Sequence, residues 1–260
     1  MGAAIAASWL GRVEYRAAWD LQKRLVDRRA AEVRVADGPK AAAAASRPAL
    51  PLAGDSLLLL EHPAVLTLGR HADESHVLAD PVTLRERGIE VIRVERGGEV
   101  TYHGPGQLVA YPIVALAARG LLVRPFVRAL EAALIDTCAE FGVVADRREG
   151  HPGCWVDGAA AFPRKIGALG VRIERGVSYH GVALNVDPDL ADFDLIDACG
   201  MPGVASTSIA RELVRTGRTL EADGAVRRAA GTFAEAFAAR IGAPLAWRPA
   251  AELAPAGVAA

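Results

Sequence analysis

Residues 96–107 read Arg-Gly-Gly-Glu-Val-Thr-Tyr-His-Gly-Pro-Gly-Gln, with four glycines in the eleven residues from Arg96 to Gly106. Strand-like apolar runs bracket the stretch, Ile89–Val94 before it and Leu108–Val114 after it. Glycines at this density let a backbone approach a ligand closely and present its N–H groups. The spacing fits neither a Walker A loop nor a dinucleotide fingerprint. On glycine content alone, an elaborate hairpin turn is as good a reading. Arg96, Thr101, His103 and Gln107 packed among the glycines tilt the balance toward a binding loop, since a turn rarely needs that mixture.

Outward from this stretch, the apolar runs Leu57–Leu60 and Val65–Leu68, separated by His62-Pro63, read as buried strands. Before them, residues 14–35 read as an amphipathic helix with Ala18, Leu21 and Leu25 on one stripe. The intervening Ala36–Gly54 stretch is rich in Ala, Pro, Gly and Ser and reads as a low-complexity loop. Downstream, 125–141 is the clearest helix: Val127, Leu130, Leu134, Cys138 and Phe141 share a face, and Gly142 stops it. Cys154–Val156, Ile166–Ile173 and Val177–Val186 are strand-like, and helices follow at about Thr207–Val214 and Gly224–Ile241. No internal repeat occurs. Strands mixed with helices without strict alternation predict an α/β (α+β) domain, a mixed central sheet flanked by helices.

Composition bounds the function. The 260 residues are 52% hydrophobic, ample for one large domain or two small ones, and a single domain over residues 1–260 is the expectation. Thirty basic against 31 acidic residues, net −1, argue against a nucleic-acid-binding face. No run approaches the roughly 20 apolar residues of a membrane span. Met1–Leu10 lacks the basic region of a signal peptide, and three cysteines do not make a disulfide framework. The expectation is a soluble, reduced, cytoplasmic protein. Only three of the basic residues are lysines, Lys23, Lys40 and Lys165. Where arginine is so favoured, a retained lysine draws attention, because lysine can act as a base and arginine cannot.

Lys165 opens Arg164-Lys165-Ile166-Gly167-Ala168-Leu169-Gly170-Val171-Arg172. Against such apolar and glycine neighbours its amine would be desolvated, which favours the proton-accepting form. A strand-end lysine reaching solvent is the commoner case. In Ser178–Asn185, alternation would put His180, Val182 and Leu184 on one face and Tyr179, Gly181 and Ala183 on the other. The small residues could floor an apolar slot or accommodate a packed helix. Cys138 lies on a buried stripe, and Cys154 stands beside Trp155 in an apolar strand. Cys199 differs: it sits in the glycine-rich loop Asp197-Ala198-Cys199-Gly200-Met201-Pro202-Gly203, a setting for a reactive thiolate. No Cys-x-x-Cys or His-x-x-x-His spacing occurs, so no metal is expected.

Taken in order, Arg-Gly-Gly-x-x-Thr-x-His-Gly-Pro-Gly-Gln, Lys-Ile-x-Ala-x-Gly-Val-Arg, His-Gly-x-Ala-Leu-Asn and Cys-Gly resemble the lipoyl(octanoyl) transferase family, over roughly His62 to Ser208. The resemblance implies the fold class of biotin and lipoate protein ligases. It also implies transfer of an octanoyl group from octanoyl-acyl carrier protein to a lysine of lipoyl domains, those of 2-oxoacid dehydrogenase complexes and of the glycine cleavage H protein. Carried over by residue, Cys199 would be the nucleophile holding the acyl thioester, and Lys165 its proton-shuttling partner. Arg96, Gly97, Gly98, Glu99, Val100, Thr101, Tyr102 and His103 would line the acyl site, with Ala168, Leu169, Gly170, Gly181, Val182 and Ala183. No cofactor is implied, because a thioester donor is already activated. Two departures stand out: Ala198 replaces a frequent proline, and Cys154 an aliphatic residue. Arginines such as Arg70, Arg93 or Arg147 are expected near the mouth to meet acidic partners. The alternatives are an ATP-dependent lipoate or biotin-type ligase, which needs no cysteine nucleophile, and a non-catalytic acyl- or carrier-binding protein.

Overall fold

The computed structural model describes residues 3–36, 54–201 and 203–253, and only the backbone of Ala36, Cys199 and Leu253. The loop expected at 36–54 therefore lies, from 37 to 53, outside the described residues, as does Pro202.

In chain order the strands are β1 (Ile5–Arg12), β2 (Ser56–Glu61), β3 (Val65–Leu68), β4 (Glu90–Arg93), β5 (Val100–His103) and β6 (Gln107–Ile113). They continue with β7 (Asp146–Arg148), β8 (His151–Val156), β9 (Arg164–Glu174), β10 (Val177–Asn185), β11 (Ala205–Ser206) and β12 (Leu245–Trp247). The helices are α1 (Tyr15–Ala36), α2 (Pro81–Glu86), α3 (Val123–Glu140), α4 (Ile209–Arg215), α5 (Ala225–Arg240) and α6 (Ala250–Leu253). The main sheet runs β12-β1-β2-β6-β10-β9-β8-β7, with β11 pairing onto β9; a second sheet runs β4-β3-β5. The main sheet is mixed: β1 lies parallel to β2 and β12, whereas β2, β6, β10, β9 and β8 follow antiparallel.

Side-chain alternation along the buried strands builds two cores, one on each face. On β2, Leu57 and Leu59 join the larger core under α3 and α5, while Leu58 and Leu60 join the core under α1. On β6, Leu108 and Ala110 point to the first layer, and Val109, Tyr111 and Ile113 to the second. Helices α3 and α5 meet through Phe126 and Phe237, edge to face at 6.1 Å. The stripe Ala18, Leu21 and Leu25 of α1 is buried as the sequence suggests. The glycine stop after α3 is also found. Gly142 adopts φ 76°, its N–H reaches the Ala139 carbonyl, and Val143 N–H reaches the Cys138 carbonyl.

Among the elements that differ from expectation are three strands. β1 was not anticipated, because its alanine-rich text has a single β-branched residue, Ile5, and its partner β2 lies about 50 residues away; Ile5 and Ala7 are nevertheless fully buried. Edge strand β12 was missed for the same reason. Third, the glycine-rich turn contains a strand of its own, β5, which pairs with β3 and joins β6 through Gly104-Pro105-Gly106.

Candidate active site

Strands β9 and β10 form one wall of a cavity of about 390 Å³, through Ala168–Val171 and His180–Ala183. The glycine stretch crosses the open side of this wall and lines the cavity with residues 96–101 and His103. Gly97 N–H donates to the Val171 carbonyl at 3.1 Å, and a Cβ on Gly170 would stand 2.8 Å from the Gly97 carbonyl oxygen. Gly181 has a similar duty, since a Cβ there would meet the Ala110 carbonyl oxygen of β6 at 2.0 Å. Both glycines thus serve the approach of one chain segment to another. Arg96 is held in the wall: its guanidinium donates to the Thr67 carbonyl at 2.7 Å and to the Gly97 carbonyl at 3.1 Å.

Of the predicted lining residues, Tyr102 does not line the cavity. Its ring packs with Phe193 in the core of the small sheet, and its hydroxyl donates to Asp192 at 2.6 Å. Alternation along β5 turns it away from its neighbours Thr101 and His103. The expected alternation of β10 is also corrected. His180 has φ 54°, and its ring stacks on Tyr179 at 4.8 Å, so the two share a side.

Lys165 sits at the start of β9, where a bulge against β8 separates Cys154 from Trp155. It is 7% exposed, its Nζ lies 4.9 Å over the Trp155 ring, and it donates to the Pro152 carbonyl at 3.4 Å. Its own carbonyl accepts Thr207 N–H at 2.9 Å. The solvent-reaching alternative for this lysine is therefore excluded. Cys199 occupies a 3-10 turn, Ala198–Gly200, that follows the bond from Asp197 N–H to the His76 carbonyl at 2.8 Å. Its side chain lies outside the described residues. The backbone of Gly200 packs against Glu99 and His76, and Met201 lines the cavity. Met201, directly after the cysteine turn, and Lys165 of β9 thus border one cavity.

Beneath the cavity is a buried polar layer. His62 Nδ1 donates to the Val13 carbonyl at 2.6 Å, so its Nε2 accepts from the Tyr111 hydroxyl at 2.8 Å. His103 Nδ1 bonds Gln107 Oε1 at 2.7 Å, Gln107 Nε2 donates to Asn185, and Asn185 donates to the Thr207 carbonyl at 2.9 Å. Thr207 in turn donates to Glu212, which accepts two bonds from Arg164 at 2.8 and 2.9 Å. This relay ties the glycine stretch to the strand that carries Lys165. Burial pushes His62 down to about 4. It pushes His103 down to about 3, helped by His62, and His180 to about 3, helped by Arg96. All three imidazoles are neutral, and both ring nitrogens of His180 lack a hydrogen-bond partner among the described residues.

Cys138 and Cys154 are fully buried. A hydrogen bond with Cys138, then burial, raises the Cys154 thiol well above its ordinary value, which disfavours its thiolate. Of the arginines expected at the mouth, Arg93 pairs with Glu74 at 2.8 Å and Arg147 with Glu131 at 3.0 Å, while Arg70 is exposed after Gly69. Sequence reasoning missed Tyr15, Tyr111, Gly150–Pro152, Val171, His180 and Met201 as lining residues. Only Val171, His180 and Met201 stood within segments already singled out.

The lipoyl protein ligase A/B catalytic domain profile matches residues 14–229. An octanoyltransferase of Chloroflexus aurantiacus is 48% identical over 206 residues, 79% of this chain and 82% of that protein. One of Mycolicibacterium gilvum is 42% identical over 246 residues, 94% and 90% of the two chains. Among solved structures, the bipartite lipoate protein ligase of Thermoplasma acidophilum superposes with a TM-score of 0.66 at 13% identity, covering 96% of this chain and 89% of that one. Lipoate-protein ligase A bound with ATP gives 0.59 at 14% identity, covering 97% and 91%. These two likenesses establish the fold.

Proposed function

This chain belongs to the lipoyl protein ligase A/B catalytic domain family, and on that premise we propose that it carries an octanoyl group from octanoyl-acyl carrier protein to the lysine amine of lipoyl domains, through a thioester on Cys199. The acceptors are the lipoyl domains of 2-oxoacid dehydrogenase complexes and the glycine cleavage H protein. The observation that carries the reading is the cavity: its walls are apolar at Val100, Leu169, Val171 and Val182, it is bordered by Lys165, and Met201 follows Cys199 by two positions. An uncharged acyl chain suits such walls, and neutral histidines beneath them add no charge to desolvate.

In the first half-reaction, Cys199 Sγ attacks the donor carbonyl as its proton passes to Lys165. The donor's C–S bond breaks, and the carrier thiolate takes a proton from the Lys165 ammonium. In the second, a neutral acceptor amine attacks the Cys199 thioester, the new C–S bond breaks, and the amine proton returns through Lys165 to sulfur. Thioester exchange is close to thermoneutral and amide formation is downhill, so no nucleotide is consumed. The tight seat of Lys165 between Pro152 and Trp155 supports a positioned proton carrier.

Intact and peptide mass spectrometry after mixing with octanoyl-acyl carrier protein, without ATP, tests the reading. An octanoyl adduct on Cys199, absent in Cys199→Ser and slowed at least about tenfold in Lys165→Ala, is expected. An adduct on Cys154 breaks the residue assignment. No adduct, with activity restored by ATP, makes the protein a ligase; carrier binding without any adduct makes it a binding module.

A further inference from the structure

Beside the main cavity, and sharing Gly150, His151 and Pro152 with its wall, runs a second groove of about 480 Å³. It lies between the first turns of α3 and the β7–β8 hairpin, and Arg124, Arg128, Arg147 and Arg148 line it against Glu131 and Glu149. The groove is organised from below. Glu131 is 3% exposed, and one of its oxygens accepts Arg128 Nη1 and Arg147 Nε, each at 3.0 Å. Its other oxygen accepts Gly153 N–H at 3.3 Å. A single carboxylate therefore orients two arginines and fixes the β8 backbone next to Pro152, whose carbonyl accepts from Lys165. Arg124 and Arg148 make no ion pair among the described residues, so the groove keeps positive charge. Leu122 and Val123 stand 75% and 52% exposed on its rim.

We propose that this groove is the donor's entrance, receiving the phosphorylated thiol arm of the acyl carrier while the thioester reaches the Lys165 end of the main cavity. The proposal rests on the carrier-thioester reading above. The arm's phosphodiester is an anion, and guanidinium groups recognise phosphate oxygens through paired N–H donors. The acceptor lysine carries no phosphate, so the groove selects the donor arm by a group that the acceptor side chain lacks. An acidic carrier surface is drawn to the same rim, where the exposed Leu122 and Val123 supply apolar contact.

The test uses the full chain and the variants Arg124→Glu, Arg148→Glu and the double change, all at residues without a carboxylate partner in the described structure. Single-turnover acylation is measured with three donors: octanoyl-acyl carrier protein, free octanoyl-phosphopantetheine, and octanoyl-pantetheine, which lacks the phosphate. The double variant is expected to lower kcat/KM by about tenfold or more with the two phosphorylated donors, and to flatten their salt dependence. With octanoyl-pantetheine it leaves the rate within about twofold. Equal losses with all three donors, or no loss with any, overturn the proposal. So does a rise confined to the KM of the lipoyl-domain acceptor, which would make the groove the acceptor's. If the wild-type chain is acylated by none of the three, the carrier-thioester reading fails together with the groove. If it is acylated by all and the variants do not discriminate, only the groove fails.

Discussion

Gly181 shows how much one missing side chain decides. An added Cβ would lie 2.0 Å from the Ala110 carbonyl oxygen, so Gly181→Ala must pry β10 from β6 next to the cavity. Its cost is expected at about 1–3 kcal/mol, read as a lowered urea midpoint with an unchanged slope. The cysteines make a second residue-scale case. Cys154 shares a hydrogen bond with Cys138 in the core, and both are fully buried. Alkylation of the native protein is therefore expected to label neither until the chain unfolds, while Cys199 accounts for the fast reaction. Rapid native labelling of Cys154, mapped by peptide mass spectrometry, would contradict the burial. The departure from an aliphatic residue at this position is thus absorbed by packing.

At the scale of elements, Lys165 is placed by strands and a helix it does not belong to. β11 runs parallel to β9 with Ser206 opposite Lys165, and Thr207 N–H holds the lysine carbonyl. Thr207 is in turn anchored to Glu212 of α4, which pairs with Arg164. Burial works to raise the Glu212 carboxyl, but the bonds from Arg164 and Thr207 outweigh it and hold it below its ordinary value. Glu212→Gln removes the charge while keeping the shape. It is expected to cost about 1–3 kcal/mol and to lower kcat more than it raises KM, because the lysine loses its register and the cavity walls stay intact. A change in KM alone would separate α4 from the positioning of Lys165.

Across the whole molecule, three buried histidines couple the cavity to acid stability. Each ring titrates near 6.5 when unfolded, but burial lowers it to about 4 for His62 and about 3 for His103 and His180. Below about pH 6.5 the unfolded chain binds protons that the folded chain refuses. Stability is complete above that pH and falls as pH drops toward the folded values, by up to about 1.4 kcal/mol per unit for each histidine. Urea midpoints are expected to hold steady between about pH 7 and 8 and to fall steeply between about pH 6 and 4.5. His180→Gln is expected to remove about one proton's worth of that slope. A flat profile would mean that these rings are solvated in the folded state.

Legible in the chain alone were the features set by neighbours within a few residues: the glycine stretch, the buried stripe of α1, the glycine stop after α3, and the segments holding Lys165 and Cys199. Helical period, cap chemistry and short motifs are local, so a linear reading reaches them. The pairings were not local. β1 finds β2 across about 50 residues, Pro152 offers its carbonyl to a lysine on the next strand, and Gln107 bonds Asn185 across the sheet. Whether Gly170 and Gly181 face a ligand or another chain segment depends on how closely β9, β10 and the glycine stretch approach, which no window of sequence encodes. The turn of His180 out of alternation and the burial of Lys165 likewise arise only once the strands are assembled. Tertiary contact supplied the register, the desolvation and the shared cavity border, because each is a property of groups brought together from distant parts of the chain.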